Sequence, residues 1–420
     1  MGNSLVKNFN KQNGSTAIIF MLYAVVTIAL YTLPMLKVTL PYMLVAVVLL
    51  GSMFFFMYRN VRWLYFILIL VITSIIVMAI NVMTGVYGLV ESINEMIRNI
   101  RFFLPVLWGC YAIKGTNDKQ KKFVLIAFGV LCGFILIKTL GALRIDPMVC
   151  RDLAAGASDN STSRLASRMQ NVGGFDFSYM MGIVTLCFVW SAIRGKNKRY
   201  RIVSIVAAVI GYYFIIQSMY TLLLILTFIG TVMILFISTK STFLKVCIAL
   251  TCIAVVFFIE PILKFLADFF SFSYMFNQKF MNMYLALKYD DVGIVGSRPD
   301  LLKTAFLNWT ENPILGGKHT NSNCHSLIMT ILENSGIIGA GLWVGFFING
   351  WKMLKEEMAI KNIQTALVDV VMIYVLLLSF FNPIGYVFEV LFAAYFIVPI
   401  WSAVTNAHTQ ARISRRKHSV

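Results

Sequence analysis

Acidic residues are scarce in this chain. Asp and Glu number 18 against 36 Lys and Arg, and charged residues of both signs make up only 13% of the 420. Soluble domains carry about a quarter, so the sequence lacks the material for a fully water-facing surface. Histidine is rarer still, with 4, and no Cys or His spacing suits a zinc site, so no metal is expected. Five of the 7 cysteines (Cys110, Cys132, Cys187, Cys247, Cys252) fall in apolar runs and read as small packing residues. Cys150 and Cys324 alone fall in polar stretches, where an oxidising compartment would allow a disulfide between them, with two free thiols as the alternative. No repeat of fixed period and no matched pair of broken helices relates the two halves, which argues against an inverted-repeat transporter. No small-residue cleavage signal follows the first apolar run, which is therefore expected to stay as a span.

What is present is hydrophobic, 59% of the chain. Runs long enough to cross a hydrocarbon core of about 30 Å begin near Ala17, Pro41, Trp63, Ile100, Phe123, Phe175, Arg201, Met219, Phe243, Ser326, Gln364 and Gly385. They predict an all-α polytopic membrane protein of about 12 transmembrane helices, since unbroken apolar runs suit helices and not the period-two strands of a barrel. Alternate connections hold 22 of the 36 basic residues, among them Arg59, Arg62, Lys114, Lys119, Lys121, Lys122, Arg194, Lys196, Lys198, Arg199, Lys352, Lys355 and Lys361. Only Asp118, Glu356, Glu357 and Asp369 accompany them, so the whole net charge of +18 belongs to one side, which is the cytoplasmic side with both termini. Topology and anionic inner-leaflet lipid thus account for a pI of about 9.6 without nucleic acid.

The chain divides accordingly. Residues 1–143 hold the first five spans, 144–174 an external loop, 175–260 spans six to nine, 261–325 a larger external loop, and 326–420 the last three spans with a basic tail. The segment Glu91–Arg101 mixes acids, bases and apolar residues at helical spacing, as an interfacial helix leading into the fourth span or a solvated connector would. The first external loop carries Arg151, Arg164, Arg168 and Asn171, with Asp176 just inside the sixth span. Its arginines suit either headgroup anchoring or an anion. The second loop opens with an aromatic segment (Phe265, Phe269, Phe270, Phe272, Tyr274, Phe276, Phe280) expected at the membrane interface.

Further on, Ser297-Arg298-Pro299-Asp300 has the form of a helix N-terminus, and apolar spacing through Trp309 carries that helix to Asn312-Pro313. Arg298 then stands in a first turn, where its charge opposes the dipole. A phosphate shared with the free backbone N–H groups makes sense of it, as does an ion pair with Asp300. His325 falls at the start of the tenth span, where the dipole favours the neutral ring a base needs. Glu333 lies two turns deeper and requires a partner or a wet cavity. His319 reads as a loop residue, and Gly336, Gly339, Gly341 and Gly345 as close-packing positions.

The run from Arg298 through Trp309, Pro313, Gly316 and His325 to Glu333-Asn-Ser-Gly336-Ile-Ile-Gly339 resembles the signature of the bacterial O-antigen ligase and polymerase superfamily. Arg168-Met-Gln-Asn171-Val-Gly-Gly174 looks like that family's other basic loop, and ligases commonly have Asn where Ser326 stands. The resemblance implies a glycosyltransferase-C-like architecture acting on undecaprenyl-pyrophosphate-linked oligosaccharide at the outer face of the cytoplasmic membrane, without a cofactor. It implies either a polymerase of O-antigen or capsule repeat units, working beside a flippase and a chain-length regulator, or a ligase delivering glycan to a lipid A core. A lipid-linked oligosaccharide flippase is the non-enzymatic alternative. An acceptor hydroxyl attacking the anomeric carbon expels a diphosphate, so planar guanidinium groups suit the departing charge. Arg298 and Arg168 are the expected diphosphate ligands, with Arg164 and Arg151 in reserve, and His325 is the expected base. Glu333 is expected to orient the histidine or touch the acceptor, with Asp176 as the other carboxylate. Trp309, Asn171 and Asp176 are candidate sugar contacts, while membrane lipid is the commoner partner of such aromatic residues.

Overall fold

Apolar runs that satisfy their own backbone hydrogen bonds fold as helices in the computed structural model, which describes residues 18, 20–39, 61–83, 85, 88–153, 166–195, 197–272, 274–289, 298–316, 324–382 and 388–406. Among these the chain is 87% helix with no strand. In chain order the helices are α1 (Phe20–Thr32), α2 (Pro34–Thr39), α3 (Val61–Met83), α4 (Leu89–Gly115), α5 (Asp118–Ile145) and α6 (Val149–Asp152). There follow α7 (Phe175–Arg194), α8 (Lys198–Gln217), α9 (Thr221–Ser238), α10 (Thr242–Phe257), α11 (Ile259–Phe269) and α12 (Tyr274–Tyr289). The last four are α13 (Arg298–Glu311), α14 (Leu327–Ile360), α15 (Ala366–Phe381) and α16 (Phe388–Asn406), the last with a π-helical turn at Ala393–Ile397.

Seven of these are long and apolar enough to cross a membrane: α3, α5, α7, α8, α9, α14 and α16. The pair α10 and α11, bent by 76°, makes an eighth if taken as one span, and α1 and α15 are shorter apolar helices. The second expected span, starting near Pro41, lies outside the described residues.

Burial separates a hub from a rim. α7 and α16 are buried over 72% and 78% of their most apolar windows, whereas α3, α5, α8 and α9 are buried over 28%. The rim helices keep an apolar outer face suited to lipid. Close crossings hold the hub: a Cβ at Gly109 of α4 would meet the Tyr395 carbonyl of α16, and one at Gly350 of α14 would press on Val106 and Tyr395. Small residues let membrane helices approach in this way.

Of the two readings of Glu91–Arg101, interfacial helix or solvated connector, α4 retains the helix. It runs unbroken from Leu89 to Gly115 through Pro105, so Glu91–Arg101 is the first half of one helix and not a separate surface segment. From Ile100 to Cys110 every residue is buried. Arg101, only 2% exposed, lies with its guanidinium 4.1 Å from the Phe388 ring centroid, and Glu389 beside that ring is wholly buried. A charge embedded in an apolar run was the available signal for both.

Polar contacts gather at the two ends of the bundle. At one end Arg62 pairs with Glu356, Lys114 with Glu357 at 3.9 Å, and Lys355 with Asp369 at 2.9 Å. Asn406 donates there to the Asn362 carbonyl at 2.8 Å. At the other end the Met35 amide donates to Asn171 (3.2 Å), the Ser335 hydroxyl to Asn81 (3.2 Å), and the Asn382 amide to Tyr179 (2.7 Å). Among the described residues the starts of α3 and α15 and the ends of α4, α14 and α16 thus share one end.

Candidate functional site

The first polar loop is anchored from within. α6 buries Cys150, whose thiol donates to the Gly173 carbonyl at 3.3 Å, while the Tyr220 hydroxyl donates to the Cys150 carbonyl at 2.5 Å. Burial pushes the Cys150 thiol up to about 12 and raises the Tyr220 phenol well above its usual range. Both groups stay protonated, so the thiol is inert and the phenol serves as a donor. Cys324 is also buried and free, its thiol against the Ser326 carbonyl and the Thr330 hydroxyl, so the two cysteines are not joined.

This anchorage presents the basic residues. Arg151 stands exposed on α6, and Arg168, also exposed, donates from Nη2 to the Leu153 carbonyl at 3.3 Å. Arg168 therefore lies against the end of α6, the helix that carries Arg151. Residues 166–169 form one helical turn, closed where Asn171 takes a positive φ of 60° and Val172 donates to the Ser167 carbonyl. That is a Schellman ending, for which Asn is a standard substitute for Gly. With its Oδ1 accepting from Met35, Asn171 has a structural task that the sugar-contact expectation did not include. Arg164 lies outside the described residues.

Asp176, half-buried in the first turn of α7, acts electrostatically on Tyr220 together with Arg151. Phe175, Tyr179 and Tyr220 pack as an aromatic trio, with centroids 4.6 to 5.7 Å apart. The Tyr179 hydroxyl accepts from Asn382, whose carbonyl accepts from the Leu327 amide at 3.1 Å. Hydrogen bonds, joined by the packing of Tyr220 on Tyr179, thus link the arginine-bearing loop to the first turn of α14.

His325 stands exposed at that point, at a φ of 51°, directly before the N-cap. The cap is Ser326, whose hydroxyl accepts from the Met329 amide at 3.3 Å. Glu333, 1% exposed, accepts from the Asn308 amide of α13 at 2.6 Å. Along a helix rising about 1.5 Å per residue, Glu333 is roughly 12 Å from His325. Its contact with Asn308 joins α13 to α14.

α13 begins at Arg298 and ends at Glu311, as the sequence pattern requires. The Arg298 side chain lies outside the described residues, as do Ser297 and His319. Trp309 donates its indole N–H to the Pro313 carbonyl at 3.1 Å and packs edge-on against Phe306.

Gly341 and Gly345 have open space where close packing is expected, whereas Gly336 packs directly against the Ile314 carbonyl. Its φ of 60° and ψ of −162° interrupt α14, and the amides thereby freed at Ile337 and Ile338 bond to the carbonyls of Pro313 (2.9 Å) and Ile314 (3.4 Å). Gly316, at a φ of 86°, lies so close to Asn334 that a Cβ there would collide with its backbone. The segment Pro313–Gly316 is clasped into the break of α14. Two stretches far apart in sequence, Asn312-Pro313-Ile-Leu-Gly316 and Glu333-Asn-Ser-Gly336, are one unit.

Lys279 went unnoticed in the aromatic segment. It sits on α12 at 7% exposure, and the charge of Arg151, from the first polar loop, acts on it. The chain matches no protein-family model, and no curated protein matches it either.

Proposed function

We propose that the chain is a glycosyltransferase that polymerises undecaprenyl-pyrophosphate-linked oligosaccharide repeat units on the outer face of a bacterial cytoplasmic membrane. In this reading twelve spans, both termini inside, carry a glycosyltransferase-C-like fold with the two polar loops outside. One observation carries it. The loop that presents Arg151 and Arg168 reaches the first turn of α14, beside His325, through the path Tyr220, Tyr179, Asn382 and Leu327. Cations for a leaving diphosphate and an imidazole for an attacking hydroxyl thus belong to one end of the bundle.

The step assigned to this end is a displacement. The acceptor hydroxyl oxygen bonds to the anomeric carbon as the bond from that carbon to the diphosphate breaks, and its electron pair leaves with the diphosphate. His325 takes the hydroxyl proton. Arg168, Arg151 and Arg298 receive the growing charge as bidentate donors, and no acid is required because a diphosphate leaves as an anion. The Asn308–Glu333 bond and the glycine clasp hold α13, and so the Arg298 backbone, against α14.

Defined lipid-linked repeat units supplied to the purified protein test this directly. A ladder of lengthened lipid-linked glycan without any lipid A core supports polymerisation. Transfer that strictly needs the core assigns the chain as a ligase, and movement of intact units across the bilayer with no new glycosidic bond assigns it as a flippase.

A further inference from the structure

A lysine at the surface of a loop carries its ammonium to water on a flexible stem. Lys279 does not. Its neighbour Phe280 packs, with Tyr284, on Leu263 and Ala267 of α11, which fixes this face of α12 inward. Lys279 is 7% exposed, and among the described residues its Nζ has no hydrogen-bond partner. The charged group acting on it is another cation, Arg151 of α6.

The other charged groups on the surrounding elements are Glu260, Lys264 and Asp268 of α11, Lys288 of α12, and Asp146 and Asp152 beside Arg151. Lys288 is bonded to the Tyr284 hydroxyl at 2.8 Å. Among the described residues none of the acids pairs with Lys279. Among the described residues the buried Lys279 ammonium thus has no bonded acid and lies in the field of the exposed Arg151, an arrangement that an anion between them would relieve. Burial first, and the Arg151 charge second, push the Lys279 ammonium down to about 8.

We infer that Lys279 and Arg151 form a receptor for a phosphate-bearing anion and, resting on the glycosyl-transfer reading above, that this anion is the diphosphate of the lipid carrier. The geometry suits a diphosphate. Arg151 offers a planar fork and Lys279 a point charge from the opposite loop, so adjacent phosphates meet different donors. Arg168, bonded to Leu153 two residues beyond Arg151, borders the same place. Lys279 is then a binding residue that the aromatic pattern of its segment concealed.

Binding of inorganic pyrophosphate and of polyprenyl diphosphate is measured on the full chain in phosphatidylcholine nanodiscs, for the wild type and for Lys279→Met, Lys279→Arg and the exposed control Lys264→Met. The expected result is an affinity lowered at least tenfold in Lys279→Met, kept within about threefold in Lys279→Arg, and unchanged in Lys264→Met. Lys279 binds the anion when protonated, so wild-type affinity falls as pH rises from 7 through about 8 to 9. Lys279→Arg removes that fall. The melting temperature of ligand-free Lys279→Met is expected to equal or exceed that of the wild type, because a buried cation has been removed; a merely structural lysine would lower it. Unchanged pyrophosphate affinity in Lys279→Met, or equal loss in Lys279→Arg, overturns the receptor. Phosphatidylglycerol competing as well as polyprenyl diphosphate overturns the carrier assignment in favour of bulk headgroups. The glycosyl-transfer reading fails separately: diphosphate bound through Lys279 with no glycosidic bond formed from repeat units leaves the receptor standing and removes the transferase.

Discussion

Gly336 combines a positive φ of 60° with a ψ of −162°, a region open almost solely to glycine. A Cβ there would also strike the Ile314 carbonyl. Gly336→Ala is therefore expected to lower stability by about 2–4 kcal/mol, from backbone strain together with displacement of the clasp, and detergent melting curves against Gly341→Ala, which has open space, measure it. Ser326 shows the opposite kind of tolerance. Ser326 caps α14, and Asn is a nearly equivalent cap. Ser326→Asn is expected to leave melting unchanged, while Ser326→Ala costs about 1 kcal/mol. A large loss in Ser326→Asn would mean that the hydroxyl has a task besides the cap. For transfer itself, Arg168→Ala is expected to reduce ladder formation by about 100-fold or more, the scale seen when a donor to developing negative charge is removed. Turnover at the wild-type rate would release Arg168 from the site.

At the scale of elements, α13 was legible because its signals are local. Pro299 near the start, helical spacing through Trp309, and Asn312-Pro313 at the end mark it, and the helix spans Arg298–Glu311. The break in α14 was not legible, since four glycines between Gly336 and Gly345 offer the same freedom and only the contact with Pro313 and Ile314 selects one. For Glu91–Arg101 the sequence left helix and connector open because its charges are mixed with apolar residues; the segment is helical, and Arg101 at its end is enclosed by aromatic rings. Asn308 and Glu333 supply the side-chain tie between α13 and α14. Asn308→Ala, by removing a donor from a buried carboxyl, is expected to cost about 1–3 kcal/mol. In a double-mutant cycle with Glu333→Gln the combined loss falls short of the sum. Strict additivity would show that the two side chains do not share the bond.

For the whole molecule, hydropathy anticipated an all-helical chain with several helices long and apolar enough to cross a membrane, because a backbone in lipid must satisfy its own hydrogen bonds. Number of spans was harder: α4 owes its place to burial by other helices and not to its own hydropathy, and α10 turns by 76° where apolar sequence continues. Lys279 was invisible since nothing local marks a lysine for burial; α11 and Arg151 do so from elsewhere in the chain. The orientation is tested with a membrane-impermeant maleimide on a cysteine-free background. Asp268→Cys, on α11, is expected to label in intact cells, and Lys361→Cys, at the opposite end, only after permeabilisation. The reverse pattern would turn the molecule over and remove the outer site.

The central claim is that arginines of the first loop and the start of α13 converge on a carrier diphosphate beside His325. An experimental density map of the protein with bound polyprenyl diphosphate measures this most directly. Phosphate density in contact with Arg168 and Arg298, within reach of His325, is the result expected. Density at a different surface, with Arg168 and Arg298 directed to separate faces, would contradict the account.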